Sequence, residues 1–151
     1  MSLFAVTIPQ KELVVNFNIN DVKTALSKLP KMLDNCTILS QDDVLNKVDL
    51  QLTSFMSLGN KLSITLTKID ENTTKLVIDT SRMIGTFNES HEVSSANTDY
   101  TKMTTALSTL LSNPNITDDE IQKYNQKTSN SGVNAILYVI FIILLIYIFS
   151  R

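Results

Sequence analysis

The chain has 151 residues and a net charge of −2, which allows one ordinary domain and a short additional segment. Without a basic excess it lacks the charge pattern that neutralises a phosphate backbone, so no nucleic-acid partner is expected. Its single cysteine, Cys36, and single histidine, His91, exclude an internal disulfide framework and leave too few ligands for a zinc site.

The N-terminal part predicts a strand followed by an amphipathic helix. Apolar residues at alternate positions from Leu13 to Ile19 indicate a half-buried strand. Asn20 and Asp21 are expected to cap the helix, and Pro30 to kink it or end its regular part. The helix should bury the residues that recur at three- and four-residue spacing, which are Val22, Ala25, Leu26, Leu29 and Leu33.

Three further alternating stretches, 44–56, 60–69 and 74–81, predict strands joined by turns at 57–60 and 70–73. Short connections favour an antiparallel meander with one polar face. The polar stretch 82–97 is interpreted as a loop. A second helix is predicted from about Thr98 to Leu111, with a buried face made of Met103, Ala106, Leu107, Leu110 and Leu111.

These elements predict an α+β domain of order βαβββα, in which two helices cover one face of a four-stranded antiparallel sheet. The domain should occupy residues 1–111. Residues 112–132 are rich in Asn, Ser and Thr and predict a polar linker, with a weak helical turn over 118–127. Residues 133–150 are predicted to form a C-terminal transmembrane helix, which follows the α+β domain and the linker.

The transmembrane prediction rests on seventeen uncharged residues, 133–149. A helix of this length spans roughly 26 Å, at the short end of the range for crossing a bilayer. A buried core helix is the alternative, but soluble cores seldom need a helix that is apolar on every face. The residues expected to form the membrane anchor are Ile136, Leu137, Tyr138, Ile140, Phe141, Leu144, Leu145, Tyr147 and Phe149.

The position of this segment predicts a single-pass, tail-anchored protein. The first ten residues lack the basic and apolar regions of a signal peptide. Lys123 and Lys127 precede the apolar run and Arg151 follows it, a bias that favours a cytoplasmic N-terminal domain. The lone thiol of Cys36 fits a reducing compartment.

Three short motifs resemble a pattern found in small uncharacterised bacterial domains. Phe55-Met-Ser57-Leu-Gly59 matches an F-x-S-x-G turn that leads into an alternating strand, and a second strand ends at Ser81. Asp99-Tyr100-Thr101-Lys102-Met103 matches a helix start of the form D-[WY]-G-K-N, except that Thr101 and Met103 replace the Gly and Asn. The resemblance covers roughly residues 11–111 and implies a helix-grip-like βαβββα domain without implying a reaction.

Candidate catalytic residues have simpler structural interpretations. His91 lies between Glu89 and Glu92, which would orient a general base, but a solvated loop histidine is favoured. Cys36 has no cation nearby in sequence and is interpreted as an inert thiol. The acidic clusters 42–43 and 118–120 lack the spacing of a calcium loop. We therefore expect no enzymatic activity, no cofactor and no metal.

Two functions stay open from the sequence. The first is a non-catalytic interaction module on the cytoplasmic side of a membrane, with the bilayer and another membrane or cytoplasmic protein as partners. The second is a membrane-tethered binder of lipid or of a small apolar ligand, held in a helix-grip cavity between the sheet and the long helix. Because a short four-stranded sheet leaves little room for a cavity, the first is favoured.

Overall fold

A computed structural model of the chain describes residues 10–54, 57–85 and 90–123. The predicted anchor at 133–149 and residues 124–132 of the predicted linker lie outside these residues. Within the described ranges, no helix is both long and apolar enough to cross a bilayer. The chain divides into two compact units, residues 1–115 and 116–151. In the second unit, residues 118–123 are helical, in agreement with the turn predicted over 118–127.

The first unit is an α+β fold built on a five-stranded antiparallel sheet. Its elements, in chain order, are β1 Gln10–Val15, α1 Ile19–Met32, β2 Cys36–Asp42, β3 Lys47–Ser54, β4 Ser57–Asp70, β5 Thr73–Arg82 and α2 Ser90–Ser112. The strands lie in the order β1-β5-β4-β3-β2, and all neighbours are antiparallel. The α+β class is confirmed, but the predicted four-stranded βαβββα order is wrong, since the described order is βαββββα.

The additional strand is β2, which sequence periodicity did not reveal. Its apolar residues Ile38 and Leu39 are consecutive rather than alternating, and a register shift between Ile38 and Ser40 interrupts its pairing with β3. As one of the two edge strands of the sheet, it is buried mainly at Cys36. A strand with so little buried surface carries almost no alternating pattern.

The strand predicted over 44–56 begins only at Lys47, because residues 42–46 form the turn between β2 and β3. One carboxylate oxygen of Asp42 accepts hydrogen bonds from the backbone N–H groups of Val44 and Leu45, each at 2.9 Å. Asn46 has a φ of 50°, a left-handed conformation that asparagine tolerates in turns. Val44, the first apolar residue of the predicted alternation, is therefore an exposed turn residue, whereas Val48, Leu50 and Leu52 are buried in β3 as expected.

The first strand ends at Val15, so the strand predicted to continue to Ile19 is too long. The side-chain oxygen of Asn18 accepts hydrogen bonds from the backbone N–H groups of Asn20 and Asp21, at 3.0 and 2.9 Å. Asn18 is thus the N-cap of α1, in place of the predicted Asn20 and Asp21. All five apolar residues predicted for this helix are buried, and the helix continues beyond Pro30 to the fully buried Met32.

The second helix begins at Ser90, eight residues earlier than predicted, so residues 90–97 are not in a loop. Its first turns are mostly polar, which concealed the helical period. Ala96 and Asp99 nevertheless point into the protein and are buried. The face predicted from Met103 to Leu111 is buried as expected.

The core lies between one face of the sheet and the two helices. The helices contact each other and both contact β4. Alternate residues of β3, β4 and β5 are buried on this face, while the opposite face carries mostly Lys, Ser and Thr. In the first unit, the largest fully buried side chains are Leu26, Leu29, Met32, Leu50, Leu52, Leu62, Ile64, Leu76, Ile78, Met103 and Leu107.

Gly59 lies inside β4 and not in the turn predicted at 57–60. The chain reverses between the paired residues Ser54 and Ser57. Gly59 has a φ of +75°, and a Cβ atom at this position would overlap the carbonyl oxygen of Leu52 on the neighbouring strand. The glycine of the F-x-S-x-G motif is therefore required by a close approach of two backbones.

Replacing Gly59 with alanine should destabilise the domain by roughly 2–4 kcal/mol, because steric overlap adds to left-handed backbone strain. Gly85→Ala is a matched control, since Gly85 has a φ of +77° but a Cβ there meets nothing within 4 Å. The control should cost only about 1–2 kcal/mol from strain. Denaturant unfolding of the two variants measures both values, and equal costs would contradict the role assigned to the Leu52 carbonyl.

Candidate functional site

The predicted catalytic candidates do not assemble into a catalytic site in the part of the chain described. His91 is an exposed residue in the first turn of α2, so its placement in a loop was wrong. The carboxylate of Glu92 accepts a hydrogen bond from the Arg82 guanidinium, and Glu89 lies outside the described residues. The interaction of Arg82 with Glu92 joins the end of β5 to the start of α2.

Cys36 is buried at the start of β2. Burial raises the pKa of its thiol to about 12, so the nucleophilic thiolate is scarcely populated at neutral pH. This agrees with the predicted inert thiol. The acidic residues also have structural roles, since Asp42 caps a turn and Glu120 accepts hydrogen bonds from Thr117. Among the described residues, no group of three or more His, Cys, Asp or Glu could hold a metal ion.

A charged cluster centred on Asp49 lies on the outer face of the sheet. The Asp49 carboxylate binds Lys61 at 2.8 Å and accepts hydrogen bonds from Ser40, at 3.1 Å, and from Ser63. Burial disfavours the charged carboxylate, but these hydrogen bonds outweigh burial and hold the pKa of Asp49 below its ordinary value. A carboxylate of lowered pKa is a weak base, so the cluster joins β2, β3 and β4 without activating either hydroxyl.

A buried polar pair lies between the sheet and α2. The side-chain amide of Asn60, on β4, donates a hydrogen bond of 2.7 Å to the carboxyl group of Asp99 on α2. Asp99 is only 4% exposed and Asn60 only 6%. Burial raises the pKa of Asp99, while the Asn60 hydrogen bond and the nearby charge of Lys102 oppose this rise only in part.

Tyr100, the residue after Asp99, attaches α2 to β1. The ammonium nitrogen of Lys11, on β1, lies 4.3 Å from the centroid of the Tyr100 ring, a distance at which the cation and the ring attract each other. The hydrogen bond between Asn60 and Asp99 also brings two of the short motifs together. Asn60 directly follows the motif that ends at Gly59, and Asp99 is the first residue of the other motif. Their arrangement fixes α2 on the sheet.

An apolar pocket of about 300 Å³ lies between α1 and the C-terminal end of α2. Its buried lining comes from Ala25, Leu110 and Leu111. Half-buried Phe17 and exposed Pro114 extend the lining, and the ammonium group of Lys28 donates a hydrogen bond of 3.3 Å to the Pro114 carbonyl. We call this site the interhelical pocket.

Three polar side chains complete the lining of the interhelical pocket. They are Asp21, Thr24 and Lys28, all from α1 and all at least partly exposed. A site with an apolar lining and a few polar groups at its edge is suited to an apolar group that carries a polar end. Sequence reasoning missed this pocket because it placed the possible cavity between the sheet and the long helix, where buried side chains form the core.

Comparison with known proteins shows no family assignment. No protein-family model matches the chain, and no curated protein matches it significantly. Among solved structures, a START superfamily protein from Mycobacterium smegmatis is similar over 70% of this chain and 97% of its own, with 9% identity and a TM-score of 0.41. At that TM-score the similarity carries no ligand or activity over to this chain.

Replacing Asp99 with asparagine should remove a pH-dependent cost of folding. Because the folded protein raises the pKa of Asp99, the folded state retains this proton at pH values where the unfolded chain has lost it. The contribution of Asp99 to stability is thus fully present below the ordinary carboxyl pKa of about 4 and is lost as pH rises through the folded-state pKa.

The free energy of unfolding of the Asp99→Asn variant, minus that of the natural protein, should therefore increase as pH rises from about 4 towards neutrality. The asparagine oxygen still accepts the hydrogen bond from Asn60, so the contact itself is kept. Urea unfolding over this pH range measures the difference. A difference that stays constant or decreases with pH would contradict the burial assigned to Asp99.

Proposed function

We propose that residues 10–115 form a non-catalytic binding module whose binding site is the interhelical pocket, and that residues 133–149 tether it to a membrane. The observation that carries the proposal is the pocket itself. It combines an apolar lining, a volume of about 300 Å³ and a polar edge that bears both a carboxylate and an ammonium group. The apolar, uncharged composition of residues 133–149 supports the tether.

The proposed occupant is an apolar side chain of a partner protein. Pockets for small molecules have volumes of about 300–1,000 Å³, so the interhelical pocket is at the lower limit of that range. Its size suits a single large side chain of the kind that anchors protein interfaces. Asp21 and Lys28 at the edge offer groups of opposite charge that pair with polar residues around such an anchor.

A small apolar ligand in the same pocket is the alternative. It is favoured by the buried apolar lining from Ala25, Leu110 and Leu111. The location differs from the helix-grip cavity expected from the sequence, because the space between sheet and helices is occupied by core side chains. Both candidates use the same residues and differ in the identity of the occupant.

Absence of catalysis is part of the proposal and is supported by how the polar groups are used. Asp49 is neutralised by Lys61, the Cys36 thiol has a pKa of about 12, and Asp99 is bound to Asn60. Each group thus has a structural role.

The proposed orientation places the module in the cytoplasm. It is supported by Lys123 and Lys127, which precede the apolar segment.

The pocket is tested by placing the photocrosslinking residue p-benzoylphenylalanine at position 24 of the full chain in its native membranes. Thr24 lines the pocket and is exposed. Ser27 is the matched control, since it is an exposed residue of α1 that does not line the pocket. We expect a discrete protein adduct from position 24 and none from position 27.

The Ala25→Leu substitution adds three carbon atoms to a buried position of the pocket lining and should abolish the adduct without unfolding the domain, as circular dichroism would verify. An adduct with the mass of a small molecule would identify the alternative occupant. Equal crosslinking from positions 24 and 27, or an adduct unaffected by Ala25→Leu, would show that the pocket is not the binding site.

A further inference from the structure

The turn between β2 and β3 exposes two adjacent aliphatic side chains. Val44 is 90% exposed and Leu45 is 65% exposed, and Val44 is the most exposed large apolar side chain among the described residues. Isolated exposed aliphatic residues are ordinary, but two adjacent ones in one turn are a candidate contact surface. We call this turn, residues 42–46, the apolar tip.

The backbone of the apolar tip is held in place by hydrogen bonds. Asp42 accepts from the N–H groups of both Val44 and Leu45, and the carbonyl of Asn46 accepts a hydrogen bond of 2.8 Å from the N–H of Leu66. The two aliphatic residues therefore have satisfied N–H donors. They can enter an apolar phase without leaving these donors unpaired.

The apolar tip lies at one end of the sheet together with a second turn. In an antiparallel sheet the β2–β3 and β4–β5 turns fall at the same end, and the β3–β4 turn falls at the other. Ile69, near the end of β4 and beside the β4–β5 turn, is also exposed. We call this end of the sheet the two-turn end.

The first unit of the chain also ends at the two-turn end. Helix α2 starts beside Arg82, at the opposite end of the sheet, through the interaction of Arg82 with Glu92. Its last turn shares the interhelical pocket with Phe17, whose carbonyl accepts a hydrogen bond from Thr74 next to the β4–β5 turn. The chain thus leaves α2 towards the two-turn end.

The distance to the proposed tether permits contact with a bilayer. Seventeen residues, 116–132, separate the first unit from the apolar segment 133–149. Because residues 118–123 are helical, this stretch can extend at most roughly 50 Å, whereas a domain of about 100 residues has a radius of gyration of only about 13 Å. A tethered module therefore stays at a high effective concentration near the membrane, where even a weak surface contact is populated.

The charged side chains around the apolar tip indicate whether the tip would bind an anionic or a neutral lipid surface. Lys23 pairs with Asp43 at 3.3 Å, and Lys47 lies 3.9 Å from Asp49, so the ammonium groups beside the tip already have carboxylate neighbours. A contact with membranes through such a surface depends on apolar burial and not on attraction to anionic headgroups.

From these observations we infer that the two-turn end faces the membrane, with Val44 and Leu45 inserted shallowly into the interface of a neutral bilayer. The inference rests on the proposed tether. Contact of the apolar tip with the bilayer gives the module a second attachment and so orients it. Lipid, rather than a partner protein, then covers the apolar tip.

The test uses the full chain with the Val44→Cys substitution, labelled with an environment-sensitive NBD fluorophore and reconstituted into phosphatidylcholine vesicles. Labelling is selective because the natural Cys36 is buried and its thiol has a pKa of about 12. Leu58→Cys is the matched control. Leu58 is an exposed aliphatic residue, 56% exposed, next to the β3–β4 turn at the opposite end of the sheet.

We expect a blue-shifted NBD emission at position 44 that is quenched by doxyl-labelled lipids and insensitive to high salt, and neither effect at position 58. Vesicle co-flotation without these changes at position 44 would overturn the inference and leave the tether intact. A blue shift without lipid quenching would show that protein covers the tip, which also overturns it. Failure of the full chain to float with the vesicles would contradict the tether and the inference together.

Discussion

The buried hydrogen bond between Asn60 and Asp99 is the interaction on which the arrangement of α2 depends. Apolar side chains pack against one another in many registers, but a buried carboxyl group and a buried amide each incur a desolvation cost unless they meet. If α2 shifted along the sheet by one turn, both groups would lose their partner. The interaction therefore selects one position of the helix among several that apolar packing alone allows.

The fixed position of α2 determines the candidate binding site at its other end. Asp99 and Tyr100 attach the first half of the helix to β4 and β1. Leu110 and Leu111, about three turns later, then lie beside α1 and help to line the interhelical pocket. The binding surface is thus a consequence of helix placement, and its residues come from parts of the chain that no local motif connects.

The sequence allowed prediction of the elements that bury a regular face. Helix α1 and strands β4 and β5 have strong periodicity, because one side of each is buried against the core. Strand β2 was missed since an edge strand with a register shift buries little. The polar start of α2 was missed because its buried residues, Ala96 and Asp99, do not form an apolar pattern.

The candidate site was less predictable than the fold. The motif containing Gly59 was interpreted as a turn, although its glycine is needed for the approach of the Leu52 carbonyl within the sheet. The pocket was not predicted because it depends on how two helices pair, and periodicity reports only which face of each helix is buried. The transmembrane helix proposed for residues 133–149, which lie outside the described residues, stays a prediction from composition.

A double-mutant cycle on Asn60 and Asp99 tests most directly whether their contact fixes α2. The free energy of unfolding would be measured for the natural protein, Asn60→Ala, Asp99→Ala and the double variant. We expect the double variant to be more stable than the sum of the single losses implies, with a coupling of about 1–3 kcal/mol. Additive losses would show that the two groups contribute independently and that apolar packing alone positions the helix.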